Sequence, residues 1–260
     1  MGMDRKKTPF LSVLFSVMLL LCSCDSRERE DGPLVRISAA VSLAEALEEI
    51  TGLYLEKRDV SFQLNFASSS SCARQIEQGM DVDIFLSAND IWMDFVEERV
   101  HTESRKDLLS NSLVVVLPLE SSLVLEKPED LLSIGIKKIA MGDPSHVPAG
   151  IYGKEALSKS GLWNSLEDRI VGALDVRAAL NLAASGAVDC AIVYKSDALV
   201  EKRVRVAFYF PPEKASPVLY QSCRIGESAE ADLFYSFLHG KEAARIFSKY
   251  GFSSIKDTEE

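Results

Sequence analysis

Four serines in a row fill positions 68–71 of the stretch "NFASSSSCARQIEQG", between an apolar strand-like run and a helix-like one. Their hydroxyls and backbone N–H groups are hydrogen-bond donors, no lysine or histidine stands beside them, and the nearest charge is Arg74. Taken alone, the run reads as a polar turn capping the next helix. Three other places offer the same kind of chemistry. In "SAAVSLAEAL", Ser42 is placed to N-cap a helix, with Glu45 three residues on completing a capping box. In "GDPSHVPAGIYGKEAL", Pro148 suits a helix start, and Ala149 and Gly150 leave the backbone unobstructed. In "LDVRAAL", Asp175 is the expected N-cap before Val176 and Arg177. Each junction by itself is a helix cap. Together they suggest N–H groups aimed at one point. A helix N-terminus acts as roughly half a positive charge, so four supply roughly +2, a match for a dianion with no lysine or arginine in contact.

Such junctions need strands that feed helices, and the chain supplies them in alternation. "LVRISA", "VSFQLNF", "VDIFLSA", "SLVVVLP", "KKIAMGD", "DCAIVY", "RVRVAFYF" and "SPVLYQSCRI" read as strands. "SLAEALEEITGLYLEK" has Leu43, Leu47, Ile50 and Tyr54 at helical spacing, and "SCARQIEQG", "DIWMDFVEERV", "GIYGKEALSKSG", "DVRAALNLAASG", "EADLFYSFLHG" and "KEAARIFSKYG" are further helices, with one more around "PEDLLS". The order predicts an α/β fold with mainly parallel sheets flanked by helices. In such sheets, ligands sit at the carboxyl ends of strands, where helices begin.

Composition narrows the partners. The chain has 260 residues, 47% hydrophobic and 26% charged, with a net charge of −10, so a nucleic-acid surface is a poor partner. His101, His146 and His239 stand apart and form no metal motif, and no bound free cation is expected. Beyond the N-terminus only Cys72, Cys190 and Cys223 remain, an odd number of which any two could pair. A serine nucleophile served by His146 would make an enzyme, but no GxSxG elbow occurs, and none of the residues calls for catalysis.

The runs "FASSSSCARQIEQG", "SANDIWMD", "LLSNSLVVVLP", "GDPSHVPAGIYGKEAL", "DVRAAL", "AIVYKSDA" and "IFSKYGF" resemble the molybdate-binding proteins of bacterial ABC importers, over essentially all of residues 34–254. The resemblance implies a two-lobed periplasmic-binding-protein fold of type II with an oxyanion in the cleft. It places lobe 1 at residues 34–112 and 219–260, and lobe 2 at 113–218. By position it puts the anion donors on Ser42 and Ser69 (hydroxyl and N–H), Ala149 and Val176 (N–H only) and Tyr194 (phenol). Val41 stands where a small residue is common, and Cys72 follows the serines; neither change removes a donor. The family has no charged ligand, so Arg177 is expected to pair with a nearby carboxylate, and Asp143 to hold a turn. Molybdate or tungstate is the implied ligand, with no cofactor; sulfate or another tetrahedral oxyanion is the alternative. The implied partners are an importer's membrane permease and its ATPase, with the chain itself a monomer.

The N-terminus carries its own signal. "MGMDRKK" is basic, "FLSVLFSVMLLL" is apolar for 12 residues, and "LCSC" precedes the charged run "DSREREDG". The apolar run is short for a membrane span and fits an export signal. It resembles a bacterial lipoprotein signal: residues 1–23 would be removed, Cys24 would carry lipid, and 24–33 would tether the protein to a membrane on the extracytoplasmic face.

Overall fold

The computed structural model describes residues 32–255. The chain opens with β1 (Leu34–Ala40), α1 (Ala44–Leu55), β2 (Ser61–Ala67), α2 (Ser69–Glu77), β3 (Ile84–Ser87), α3 (Asp90–Glu97) and β4 (Glu103–Asn111). It continues through β5 (Leu113–Pro118), β6 (Ile139–Gly142), α4 (Pro148–Lys159), α5 (Trp163–Leu166), β7 (Ile170–Ala173), α6 (Val176–Ala184), β8 (Cys190–Tyr194), α7 (Lys195–Val200) and β9 (Val204–Tyr209). It closes with β10 (Val218–Arg224), α8 (Ala229–Leu238) and α9 (Lys241–Lys249). Two five-stranded sheets result, ordered β2-β1-β3-β10-β4 and β7-β6-β8-β5-β9.

Both sheets are mixed. β1 runs parallel to β2 and β3, and β6 parallel to β7 and β8, as βαβ units require. β10 lies antiparallel between β3 and β4, and β5 antiparallel between β8 and β9. These two opposed strands are the ones the chain enters on passing from one sheet to the other, through Ser112 and again between β9 and β10. Each arrives without a crossover helix on its own sheet, so nothing forces it to run with its neighbours.

The central strands are apolar on both faces, as strands covered by helices must be. All four residues of β3 and all five of β8 are buried. On the first sheet, Tyr54 of α1 meets Phe62 of β2 and Phe234 of α8 edge-on, with ring centroids 6.0 and 5.1 Å apart. A second apolar cluster beneath α2 and α3 joins Cys72, Ile76, Phe85, Trp92 and Cys223. Cys72, Cys190 and Cys223 are all free and buried, so none pairs with another.

Two strands escape the sequence pattern. β4 reads "ESRKDLLSN", polar because it lies at a sheet edge with one face in water; Arg105 there pairs with Asp94 and Glu97. β7, "IVGA", is only four residues long. The helix expected around "PEDLLS" is a 3₁₀ turn over Pro128–Leu132.

Candidate anion-binding site

The serine run resolves into different tasks once folded. Ser68 is the N-cap of α2: its Oγ accepts from the Ser71 N–H at 3.2 Å, and the Ser70 and Ser71 hydroxyls each lie 2.9 Å from it. Ser69 faces the other way. Its Oγ accepts the Ala88 N–H at 2.9 Å, from the turn between β3 and α3. With that lone pair occupied, the Ser69 hydroxyl proton is free for another acceptor.

Ser42 does not cap α1. It sits inside a short 3₁₀ helix, Val41–Leu43, and neither that turn nor α1 has a side-chain cap. The expected capping box with Glu45 is absent because both members have distant partners. Ser42 Oγ lies 2.8 Å from the Tyr220 hydroxyl, and Glu45 holds Arg177. Tyr220 in turn receives one N–H of Asn111 at 3.4 Å, while Asn111 Nδ2 also donates to Ser196 Oγ at 2.8 Å. An amide nitrogen only donates, so Tyr220 accepts from Asn111, while either hydroxyl can be the donor between Tyr220 and Ser42. When Tyr220 donates, the Ser42 proton is left for another acceptor. Sequence reading missed Tyr220, Asn111 and the Ala88 N–H, because a buried strand tyrosine and a strand-end asparagine look like ordinary core and turn residues.

On the second sheet, α4 starts at Pro148 with Val147 as its N-cap residue. Proline has no N–H, so the first N–H this helix presents belongs to Ala149. Gly150 follows, pressed against the end of β6: a Cβ there would stand 2.0 Å from the Gly142 carbonyl oxygen. Asp175 caps α6, as expected, by accepting the Ala178 N–H at 2.8 Å, which leaves the Val176 N–H at the helix tip. Asp143 holds a turn, its Oδ1 accepting from the Ser145 N–H and hydroxyl at 2.8 and 2.6 Å.

These termini meet. Ser42, Ser69, Ala149, Val176 and Tyr194 all line one cavity, shared by helices of both sheets, and all five are buried. The cavity is small, with room for little more than one water-sized sphere. The Tyr194 hydroxyl is fully buried and has no hydrogen-bond partner among the described residues. Burial first, then the neighbouring Tyr220, Tyr152 and Asp197, hold its pKa well above the ordinary value, so it keeps its proton and stays a donor. A buried donor left unpaired costs about 1–3 kcal/mol.

Arg177 is next to the cavity, and its charge is already taken. Its Nη atoms grip the Glu45 carboxylate at 2.8 and 2.6 Å, and its Nε pairs with Asp197. Asp197 is wholly buried. Burial lifts its pKa, Arg177 pulls it partly back, and it settles at about 6. What remains for a ligand is a set of N–H and O–H donors, with no charged side chain among the residues that line the cavity. Such a set suits a small anion that only accepts hydrogen bonds.

The relatives of this chain agree with that chemistry. A family model described as bacterial extracellular solute-binding protein matches residues 35–253. The molybdate-binding protein ModA of Escherichia coli (strain K12) is 39% identical over 227 residues, covering 84% of this chain and 88% of that protein. A putative ABC transporter substrate-binding lipoprotein, YvgL, of Bacillus subtilis (strain 168) is 35% identical over 262 residues, covering 97% of this chain and 100% of that protein. Among solved structures, the substrate-binding domain of a putative molybdenum ABC transporter from Clostridium difficile aligns with a TM-score of 0.68 at 33% identity, over 86% of this chain and 100% of that one. The chain belongs to the bacterial extracellular solute-binding proteins, among their molybdate-binding members.

Proposed function

We propose that this chain is a binding protein, not an enzyme, that takes up molybdate, and tungstate with it, outside the cytoplasmic membrane. It passes the anion, as a monomer, to the permease of an ABC importer. The observation that carries the reading is the unpaired, buried Tyr194 hydroxyl in a cavity lined by the leading residues of three helices and a 3₁₀ turn. The ligand is held by Ser42, Ser69, Ala149, Val176 and Tyr194. A tetrahedral dianion that is fully deprotonated accepts from all of them. Two lobes, residues 34–112 with 219–260 and residues 113–218, close on the anion about the two crossings between the sheets.

Calorimetric titration with molybdate, tungstate, sulfate, phosphate and chromate tests this directly, beside the same series on Tyr194→Phe. We expect molybdate and tungstate to bind tightest. The phenylalanine variant should lose about 1.5–3 kcal/mol, roughly ten- to a hundredfold in affinity, since one charge-assisted bond disappears. Wild-type affinity in a folded Tyr194→Phe protein, or a preference for sulfate, would overturn the assignment.

We also place a lipid anchor on Cys24, which lies outside the described residues. The basic–apolar–"LCSC" order supports it, as does the lipoprotein name of the Bacillus subtilis relative. Since one acyl chain holds a protein to a membrane only marginally, Cys24 should be multiply acylated. In fractionated cells the wild type should travel with the membrane and Cys24→Ser with the soluble fraction; a soluble wild type refutes the anchor.

A further inference from the structure

Two polar contacts cross from the helices of the first sheet to those of the second without lining the cavity. Arg177, the second residue of α6, is gripped by both oxygens of Glu45, the second residue of α1. The indole N–H of Trp92 in α3 donates to the His146 carbonyl at 2.7 Å, in the turn leading into α4. Each contact stands beside a proposed donor: Arg177 follows Val176, and His146 is three residues before Ala149. Each also has a rigid base. Behind Arg177, the buried Asp197 fixes the guanidinium so that its fork points at Glu45. Trp92 is buried in one apolar cluster with Cys72, Phe85 and Met93, which brace its ring.

We propose that the Glu45–Arg177 pair and the Trp92–His146 bond are latches that hold the two lobes shut over the anion and set how fast it leaves, without touching it. The inference rests on the oxyanion-binding reading above. Glu45 and Trp92 are therefore positioning residues. A contact that forms only when the lobes meet stabilises the closed complex and not the encounter, so its loss appears in the release rate. Glu45 is the residue to change, because its side chain is part-exposed and tolerates neutralisation, whereas removing Arg177 would strand the buried Asp197.

The test is Glu45→Gln in a Trp163→Phe background, which leaves Trp92 as the single tryptophan, at the second latch, to report lobe opening. Stopped-flow fluorescence with molybdate should show release about three- to tenfold faster than in Trp163→Phe alone, with association within about twofold and the ligand-free melting temperature unchanged. An unchanged release rate, or a loss confined to association, overturns the latch. Calorimetry on the wild type separates this from the ligand assignment. If another anion of the panel binds instead, the molybdate reading falls and release of that anion decides the latch. If none binds, the oxyanion-binding reading falls and the latch, which rests on it, falls with it.

Discussion

Gly150→Ala will weaken anion binding by about a hundredfold, the largest loss we expect from any one-atom change in this protein. The added Cβ would lie 2.0 Å from the Gly142 carbonyl oxygen and 2.6 Å from the Asp143 carbonyl carbon. Both are backbone atoms, so no side-chain rotation relieves the overlap. The first turn of α4 must back away from the end of β6, and the Ala149 N–H moves with it. Hydrogen bonds weaken steeply once distance and angle leave their narrow range, so a shift of about 1 Å forfeits most of that bond and disturbs its neighbours. The loss of one charge-assisted bond accounts for about 1.5–3 kcal/mol, which reaches a hundredfold at its upper end. Gly52→Ala is the control: it lies in α1 with no atom within 4 Å of an added Cβ. It should bind normally and gain roughly 0.5–1 kcal/mol of stability as a helix-interior glycine replaced. A folded Gly150→Ala protein whose calorimetric affinity stays within threefold of wild type would show that the tip of α4 does not hold the anion.

Arg177→Met should cost about 3–5 kcal/mol of folding stability at pH 8, because it leaves the Asp197 carboxylate buried without a counter-ion. The loss should shrink at pH 5. The folded pKa of Asp197 is already pushed up to about 6 by burial, despite Arg177. A carboxyl raised in the folded state contributes stability that is fully present below its unfolded value, near 3.9, and is lost as pH rises through the folded value. Without the arginine the folded value climbs further, so the penalty grows between pH 5 and pH 8. Adding Asp197→Asn should restore most of the stability at pH 8, since it removes the stranded charge and keeps the volume. Urea unfolding at both pH values tests this. Equal losses at pH 5 and pH 8, or no recovery in the double variant, would mean that Asp197 is not the source of the cost.

The features legible in the sequence are those whose causes lie within a few residues. Proline at 148 starts a helix because its missing N–H costs nothing there, and Asp175 caps α6 by reaching only three residues along the chain. The apolar runs of β3 and β8 announce buried strands, and the alternation of strands with helices announces an α/β fold. The four junctions could be named one at a time for the same reason. Arg177 could be assigned a carboxylate partner, although not which one.

The tertiary structure decided whatever depends on partners far along the chain. Glu45 looked like half of a capping box until Arg177, 132 positions later, took its carboxylate, and Ser42 looked like a cap until Tyr220, 178 positions later, took its hydroxyl. β4 was hidden by its own polarity and became a strand because β10 pairs with it. β5 and β10 run against their neighbours because the chain changes sheets just before each one, a property of the path and not of the residues in the strand. Among four adjacent serines of identical chemistry, only the fold separates Ser69, which meets the Ala88 N–H, from Ser68, which caps α2. Local pattern encodes period and punctuation, whereas the choice of partner is made by packing two sheets together, where a competing contact more than 100 residues away outbids the nearest one.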